Sequence, residues 1–265
     1  MYDFTYHRPT SLADAAKSMA AASDPKLLAG GQTLLPTLKL RLAQPSDVID
    51  LGAIPELKGI NVSGSAVTIG ATTRHAEVAA SKDVAKAIRA LAELAGMIGD
   101  PAVRNMGTIG GSLANSDPAA DYPAALLALG GTVHTTKRKV AAEDWFKGMF
   151  LTALEDGEII TKIEFPVAKR AGYAKFRNPA SRYAMVGVFV ADTAAGIRVA
   201  VTGAGQFAFR QKEMEAALGK SFTAAALKDI KAPSAGLNSD IHGSAEYRAH
   251  LITVMAQRAV EAALA

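Results

Sequence analysis

The chain has 265 residues, 49% of them hydrophobic and 20% charged, and it contains no cysteine. That length fits one large or two small globular domains with ample apolar surface for a core, while the missing cysteine excludes a disulfide scaffold, a thiolate zinc site and an iron–sulfur cluster held by the chain's own thiolates. The formal net charge of +4 comes from lysines and arginines spread along the chain rather than gathered in a tract, which argues against a nucleic-acid partner. No run approaches the roughly 18 apolar residues of a membrane span, and residues 1–8 lack the basic-then-apolar order of a secretory signal, so a soluble, cytoplasmic protein without a transmembrane segment is expected.

Residues 2–6 alternate aromatic and polar side chains as a short strand does, and Ser11 is placed to cap a helix carried by Leu12, Ala15, Ala16 and Met19. Residues 26–29 read as a second strand. It runs into Gly30-Gly31-Gln32-Thr33, after which Leu34, Leu35, Leu38, Leu40 and Leu42 carry helical spacing until Pro45. Residues 48–51 form a further strand, so residues 1 to about 57 make a unit of alternating strands and helices. Residues 59–69 read as a hairpin turning at Ser63-Gly64-Ser65, and a helix-rich stretch covers about 74–95. Residues 96–121 are the densest small-residue region, a loop-like length that is uncommon inside a domain unless it is functional. A helix at 123–129 and strands around 132–140 and 158–165 complete a second unit. Beyond a boundary near 168–173, strands at 185–191 and 197–202 precede helices near 212–218 and 245–264. The expected organisation is residues 1–172, with subdomains of about 1–57 and 58–172, followed by a sheet-and-helix domain at 173–265.

The turn at residues 30–33 stands between a strand and a helix, where backbone N–H groups and the helix dipole can face an anion and glycine permits close approach. A tight connection explains this turn alone equally well, and Thr33 serves as an ordinary N-cap. Thr108-Ile109-Gly110-Gly111-Ser112 is a second turn of the same kind, and two of them suit a ligand with two phosphates held between two loops. Asp121 is placed either to accept hydrogen bonds from ribose hydroxyls or to begin the following helix. Residues 203–208, Gly-Ala-Gly-Gln-Phe-Ala, match G-x-G-x-x-A after a strand. Phe209-Arg210 delays the helix, however, and too few residues follow to build a dinucleotide-binding sheet, so the match reads as coincidence. The five histidines show no metal-ligand spacing, and neither H-E-x-x-H nor G-x-S-x-G occurs. Trp145, Tyr122, Phe146 and Phe150 read as core. Two phosphate-type turns without an evident nucleophile or base point to chemistry carried by a cofactor.

Several segments carry a family resemblance when taken in order. They are Leu28-Ala29-Gly30-Gly31-Gln32-Thr33, Val48-Ile49-Asp50-Leu51, Ile69-Gly70-Ala71-Thr72-Thr73, the run from Arg104 to Ala114, Asp117-Pro118-Ala119-Ala120-Asp121 and Lys175-Phe176-Arg177. Over essentially its whole length the chain resembles the FAD-binding medium subunits of molybdenum hydroxylases, which include the medium chain of aerobic carbon monoxide dehydrogenase and the flavin domain of xanthine dehydrogenase. The resemblance implies an α+β fold: an FAD-binding domain of the vanillyl-alcohol oxidase type, built from two subdomains, and a smaller C-terminal α+β domain. It places Leu28 and Ala29 to Thr33, together with Thr108, Ile109, Gly110, Gly111 and Ser112, at the FAD pyrophosphate, and Asp121 near the ribose. It further implies that Ile98 packs on the isoalloxazine, that Ile160 lies near the adenine or flavin edge, and that Lys175 or Arg177 supplies a cation close to the ring, where it would stabilise negative charge on reduced flavin. Aliphatic core roles for Ile98 and Ile160, and an edge-strand charge for Lys175, are the alternatives on residue type alone.

The implied function is electron transfer within an oxidoreductase complex. An iron–sulfur small subunit would pass electrons from a large subunit carrying the molybdenum cofactor through 2Fe–2S clusters to FAD on this chain, which hands them to an external acceptor. The expected assembly is a heterotrimer, paired into a dimer of heterotrimers. The absence of cysteine excludes the branch of the family that carries an inserted cysteine-ligated cluster in this subunit, and Gln32-Thr33 in place of the His-Ser frequent in carbon monoxide dehydrogenase medium chains counts against carbon monoxide as substrate. The rival reading is a self-contained FAD-dependent oxidase or reductase acting on a small molecule.

Overall fold

The computed structural model describes residues 1–265. The N-terminal unit comprises β1 (Thr5–His7), α1 (Leu12–Ala21), β2 (Pro25–Leu28), α2 (Leu34–Lys39) and β3 (Asp47–Asp50), and its three strands form a parallel sheet in the order β1-β3-β2. Ser11 caps α1, its hydroxyl accepting the Asp14 N–H at 3.1 Å. The buried stripe of α1 meets Ile49, Leu51, Ile54 and Leu57, and Ile159 from the second unit joins the same cluster. Separating the units would expose that apolar surface to water, so their shared core holds the β2–α2 turn in position.

The second unit begins with the hairpin β4 (Ile60–Ser63) and β5 (Ala66–Gly70). It continues through α3 (His75–Ala80), α4 (Lys82–Ala87), α5 (Arg89–Gly96), α6 (Pro101–Arg104), α7 (Ile109–Asn115) and α8 (Tyr122–Leu129) to β6 (Thr132–Thr135) and β7 (Lys139–Ala141). After α9 (Ala142–Trp145) come the small hairpin β8 (Phe146–Gly148) and β9 (Leu151–Thr152) and then β10 (Ile160–Pro166). The main sheet is antiparallel with order β4-β5-β10-β6-β7.

The third unit is an antiparallel sheet, β11 (Arg170–Arg177), β12 (Ala184–Thr193), β13 (Gly196–Thr202) and β14 (Phe209–Arg210), with α10 (Lys212–Lys220) and the long α11 (Ala245–Leu264). Helix α8 has an apolar residue at every position from 122 to 129, and every one is buried. A helix apolar all round must be covered all round, and α8 is, because it packs on β12 and β13 as well as on β10 and α5. Strand β12 is buried without alternation from Ala184 to Ala191, having α8 on one face and α11 on the other.

Two expectations require correction. Residues 96–121 are not one loop: Asp100 caps α6 by accepting the Val103 N–H at 2.9 Å, and Thr108 caps α7 by accepting the Gly111 N–H at 3.2 Å. The glycine and proline content conceals two short helices held by their caps. Phe150 is not core but 58% exposed, at a positive φ of 55° on the β8–β9 turn. Residues 203–208, in keeping with the sequence reading, do not form a dinucleotide turn. Gly203 is needed for its φ of 81° and because a Cβ there would lie 2.8 Å from the Met185 carbonyl oxygen, and the chain runs on into β14 rather than a helix.

Candidate functional site

A cleft of about 580 Å³ lies where the β2–α2 turn, the α6–α7 region and the β11–β12 edge of the C-terminal sheet converge. Its first wall is residues 29–33. Gly31 has a φ of 70°, a conformation that an L side chain strains to adopt, and a Cβ on Gly30 would lie 2.8 Å from Gly107 Cα and overlap the Met106 carbonyl oxygen. Gly30 therefore lets the two loops touch. The N–H groups of Gly30, Gly31, Gln32 and Thr33 have no acceptor in the chain, and Thr33 makes no side-chain cap to α2. Four unpaired donors in a cleft wall are a cradle for an anion.

The second wall is one face of α7, formed by Thr108, Gly111, Ser112 and Asn115 at helical spacing. The backbone donors at this helix start are already taken: Ile109 donates to the Thr73 carbonyl at 3.2 Å, Gly110 to the Ala71 carbonyl at 2.8 Å and Ser112 to the Thr108 carbonyl at 3.0 Å. Ile109 and Gly110 are buried away from the cleft, a Cβ on Gly110 falling 2.7 Å from Ala71 Cβ. What α7 offers is the bare backbone of Gly111 and the polar side chains of Ser112 and Asn115. Leu28 and Ile160 also stand off the cleft, the latter a core residue at the start of β10. Ile98 does line it, because the Arg104 guanidinium donates to the carbonyls of Ile98 and Gly99 at 2.9 and 3.1 Å and pins that turn.

The third wall contains a buried ion pair. Lys175 Nζ donates to Asp121 Oδ2 at 2.9 Å and to the Met97 carbonyl at 3.2 Å, and Tyr173 Oη donates to Asp121 Oδ1 at 2.5 Å. Burial pushes the Asp121 carboxyl up from its ordinary range, against the pull of the Lys175 ammonium and the Tyr173 hydroxyl. Alternation along β11 puts Tyr173, Lys175 and Arg177 on one face. Only Lys175 reaches the cleft; Arg177 is exposed at the strand's end. Asp121 thus serves Lys175 as counter-ion.

Sequence reasoning missed His75 and the β11–β12 loop, whose Ser181, Arg182 and Tyr183 close one side of the cleft. The signal for the loop was present in Asn178-Pro179, a turn-forming pair between apolar strands. His75 is buried, its Nδ1 lacks a partner, and burial with the nearby Arg104 charge lowers its pKa to about 4. An unfolded histidine titrates near 6.5, so between roughly pH 6.5 and 4 the unfolded state binds the extra proton and stability falls as pH falls, by about 3 kcal/mol in all. Thermal unfolding from pH 7.5 to 4.5 is expected to show this loss, and His75→Gln to flatten it; an equal slope in both proteins would exclude His75 as its source.

A cleft edged by unpaired backbone donors and a buried cation, between a two-part domain and an antiparallel sheet under a long helix, is suited to a phosphate-bearing nucleotide cofactor. The model of an FAD-binding domain in molybdopterin dehydrogenase matches residues 2–168, and that of a CO dehydrogenase flavoprotein C-terminal domain matches residues 171–263. The nicotine 6-hydroxylase medium subunit of Paenarthrobacter nicotinovorans is 38% identical over 96% of this chain and 95% of its own. The carbon monoxide dehydrogenase medium chain of Hydrogenophaga pseudoflava is 37% identical over 99% and 97%. Among solved structures, reconstituted CO dehydrogenase from Oligotropha carboxidovorans matches with a TM-score of 0.90 at 35% identity, covering 98% of this chain and 97% of that one. The chain belongs to the FAD-binding medium subunits of the molybdenum hydroxylases. It is the flavoprotein component of an oxidoreductase, with FAD as its cofactor and electron transfer as its role.

Proposed function

We propose that FAD occupies this cleft with its pyrophosphate against the free N–H groups of residues 30–33 and the Thr108, Gly111 and Ser112 face of α7, and with Ile98, Asp121 and Lys175 toward the ring system. The four unpartnered donors carry this reading. FAD supplies the exchange between single electrons arriving from 2Fe–2S clusters and the pair delivered to an external acceptor. The chain's own part is positioning and electrostatics. Gly30 keeps the two walls in contact, Gly31 turns the donors outward, and Asp121 holds the Lys175 ammonium in a water-poor setting where its field is weakly screened. Residues 1–172 form the cofactor-binding part and residues 173–265 the domain that brings Lys175.

The assembly we propose contains an iron–sulfur small subunit and a large subunit with the molybdenum cofactor, paired as a dimer of heterotrimers in the cytoplasm. Gentle purification from the native source is expected to yield two companion chains, molybdenum and 2Fe–2S absorption. A lone yellow chain that turns over a small molecule without metal would instead establish the self-contained oxidase or reductase.

A further inference from the structure

The loop joining β11 to β12 is organised by one side chain. Asn178 is buried although most of the loop around it is exposed. Its Oδ1 accepts the N–H groups of Ala180 and Ser181 at 3.0 and 3.1 Å, its carbonyl accepts the Arg182 N–H at 2.9 Å, and its own N–H donates to the Tyr183 carbonyl at 2.8 Å. Between those two bonds Arg182 sits at a φ of 63°. Such a left-handed residue costs about 1–2 kcal/mol and persists only where its surroundings fix it. Arg182 and Tyr183 both line the cleft.

The remaining group of Asn178, Nδ2, lies 3.2 Å from Nδ1 of His242, which is 64 residues further along the chain. Because two backbone N–H groups fix Oδ1 as the acceptor, Nδ2 is the donor, and His242 Nδ1 accepts with the ring proton on Nε2. His242 is itself anchored. Its N–H donates to Asp240 Oδ1 at 2.9 Å, and Arg248 Nη2 donates to both Asp240 oxygens at 2.9 and 2.8 Å. Arg248 Nη1 in turn donates to the carbonyls of Met185 and Gly203 at 2.8 and 3.1 Å, so the series ends in the sheet.

We propose that Asn178 and His242 form a latch that positions the 178–183 loop, and through it Arg182 and Tyr183, at the cleft, making them positioning residues for the transfer of electrons from flavin to the external acceptor. The proposal rests on FAD binding in this cleft. The latch is the loop's tie to the segment at 240–243; the other four Asn178 hydrogen bonds are internal to the loop, so His242 can be removed while the loop's own bonds remain.

The test uses the full complex, reduced anaerobically with dithionite and reoxidised with ferricyanide. His242→Ala is expected to retain one FAD per chain yet change the visible circular dichroism of the bound flavin and shift kcat/KM for ferricyanide by about threefold or more, the effect of one lost hydrogen bond. Asn178→Ala, which also removes the acceptor of the Ala180 and Ser181 N–H groups, is expected to have the larger effect. His242→Gln, which restores an acceptor oxygen, is expected to return toward the unaltered protein. Amide exchange at Ala180, Ser181 and Arg182, read in the full chain with or without flavin, is expected to quicken in His242→Ala and recover in His242→Gln. Unchanged dichroism, kinetics and exchange in His242→Ala would overturn the latch. So would His242→Gln matching His242→Ala. Absence of FAD from the unaltered chain would overturn the cleft reading, and amide exchange would still decide the latch.

Discussion

Gly30→Ala is expected to cost the chain its flavin. A Cβ at this position overlaps the Met106 carbonyl oxygen and lies 2.8 Å from Gly107 Cα, both of them backbone atoms that cannot swing aside. The two walls must separate, which costs about 1–3 kcal/mol of packing and carries the free N–H groups of residues 30–33 away from α7. FAD affinity is expected to fall at least about tenfold, equivalent to about 1.4 kcal/mol. Gly219→Ala is the control, because it lies in α10 away from the cleft and its Cβ would meet nothing within 4 Å. Flavin titration of both variants decides the matter: equal affinities would mean that contact between the walls does not shape the site. Gly110→Val, by contrast, is expected to act through the fold, because Gly110 faces Ala71 rather than the cleft.

Lys175→Met is expected to destabilise the flavin-free chain by about 3–5 kcal/mol, since it strands the buried Asp121 carboxylate with only the Tyr173 hydroxyl. For a protein of this size that corresponds to a fall in Tm of roughly 10 °C. The double variant Lys175→Met/Asp121→Asn removes both charges and is expected to recover more than half of the loss. Thermal unfolding of the single and double variants measures the coupling. Additive losses would show that the two side chains act independently and would contradict the ion pair as the organising contact of the third wall.

How much of this was legible in the sequence follows from the range of each interaction. The strand, glycine turn and helix at residues 26–39 and the polarity of β12 and α8 are local patterns, and they are present where the sequence places them. The division of labour between Gly110 and Gly111 was hidden, because it depends on Ala71 across the sheet rather than on neighbouring residues. Lys175 and Arg177 share a face of β11, so alternation alone could not choose between them; the choice depends on where the strand leaves the cleft. Leu28 belongs to a motif segment and the resemblance implied a role for Ile160, yet the fold turns Leu28 away from the cleft and Ile160 into the core. The partnership of Asp121 with Tyr173 and Lys175 spans 52 and 54 residues, a separation over which no spacing rule operates. The latch from Asn178 to His242 is of the same long-range kind.

FAD in the cleft between residues 29–33 and α7 is what every other feature of the site serves. Its most direct test is the visible spectrum and extracted flavin of the full-length chain purified with its partners, beside the same preparation carrying Gly30→Ala. One FAD per chain in the unaltered protein, and a clearly lower FAD content in the variant at unchanged complex composition, is the predicted result. A colourless complete complex, or stoichiometric FAD in both preparations, would contradict it.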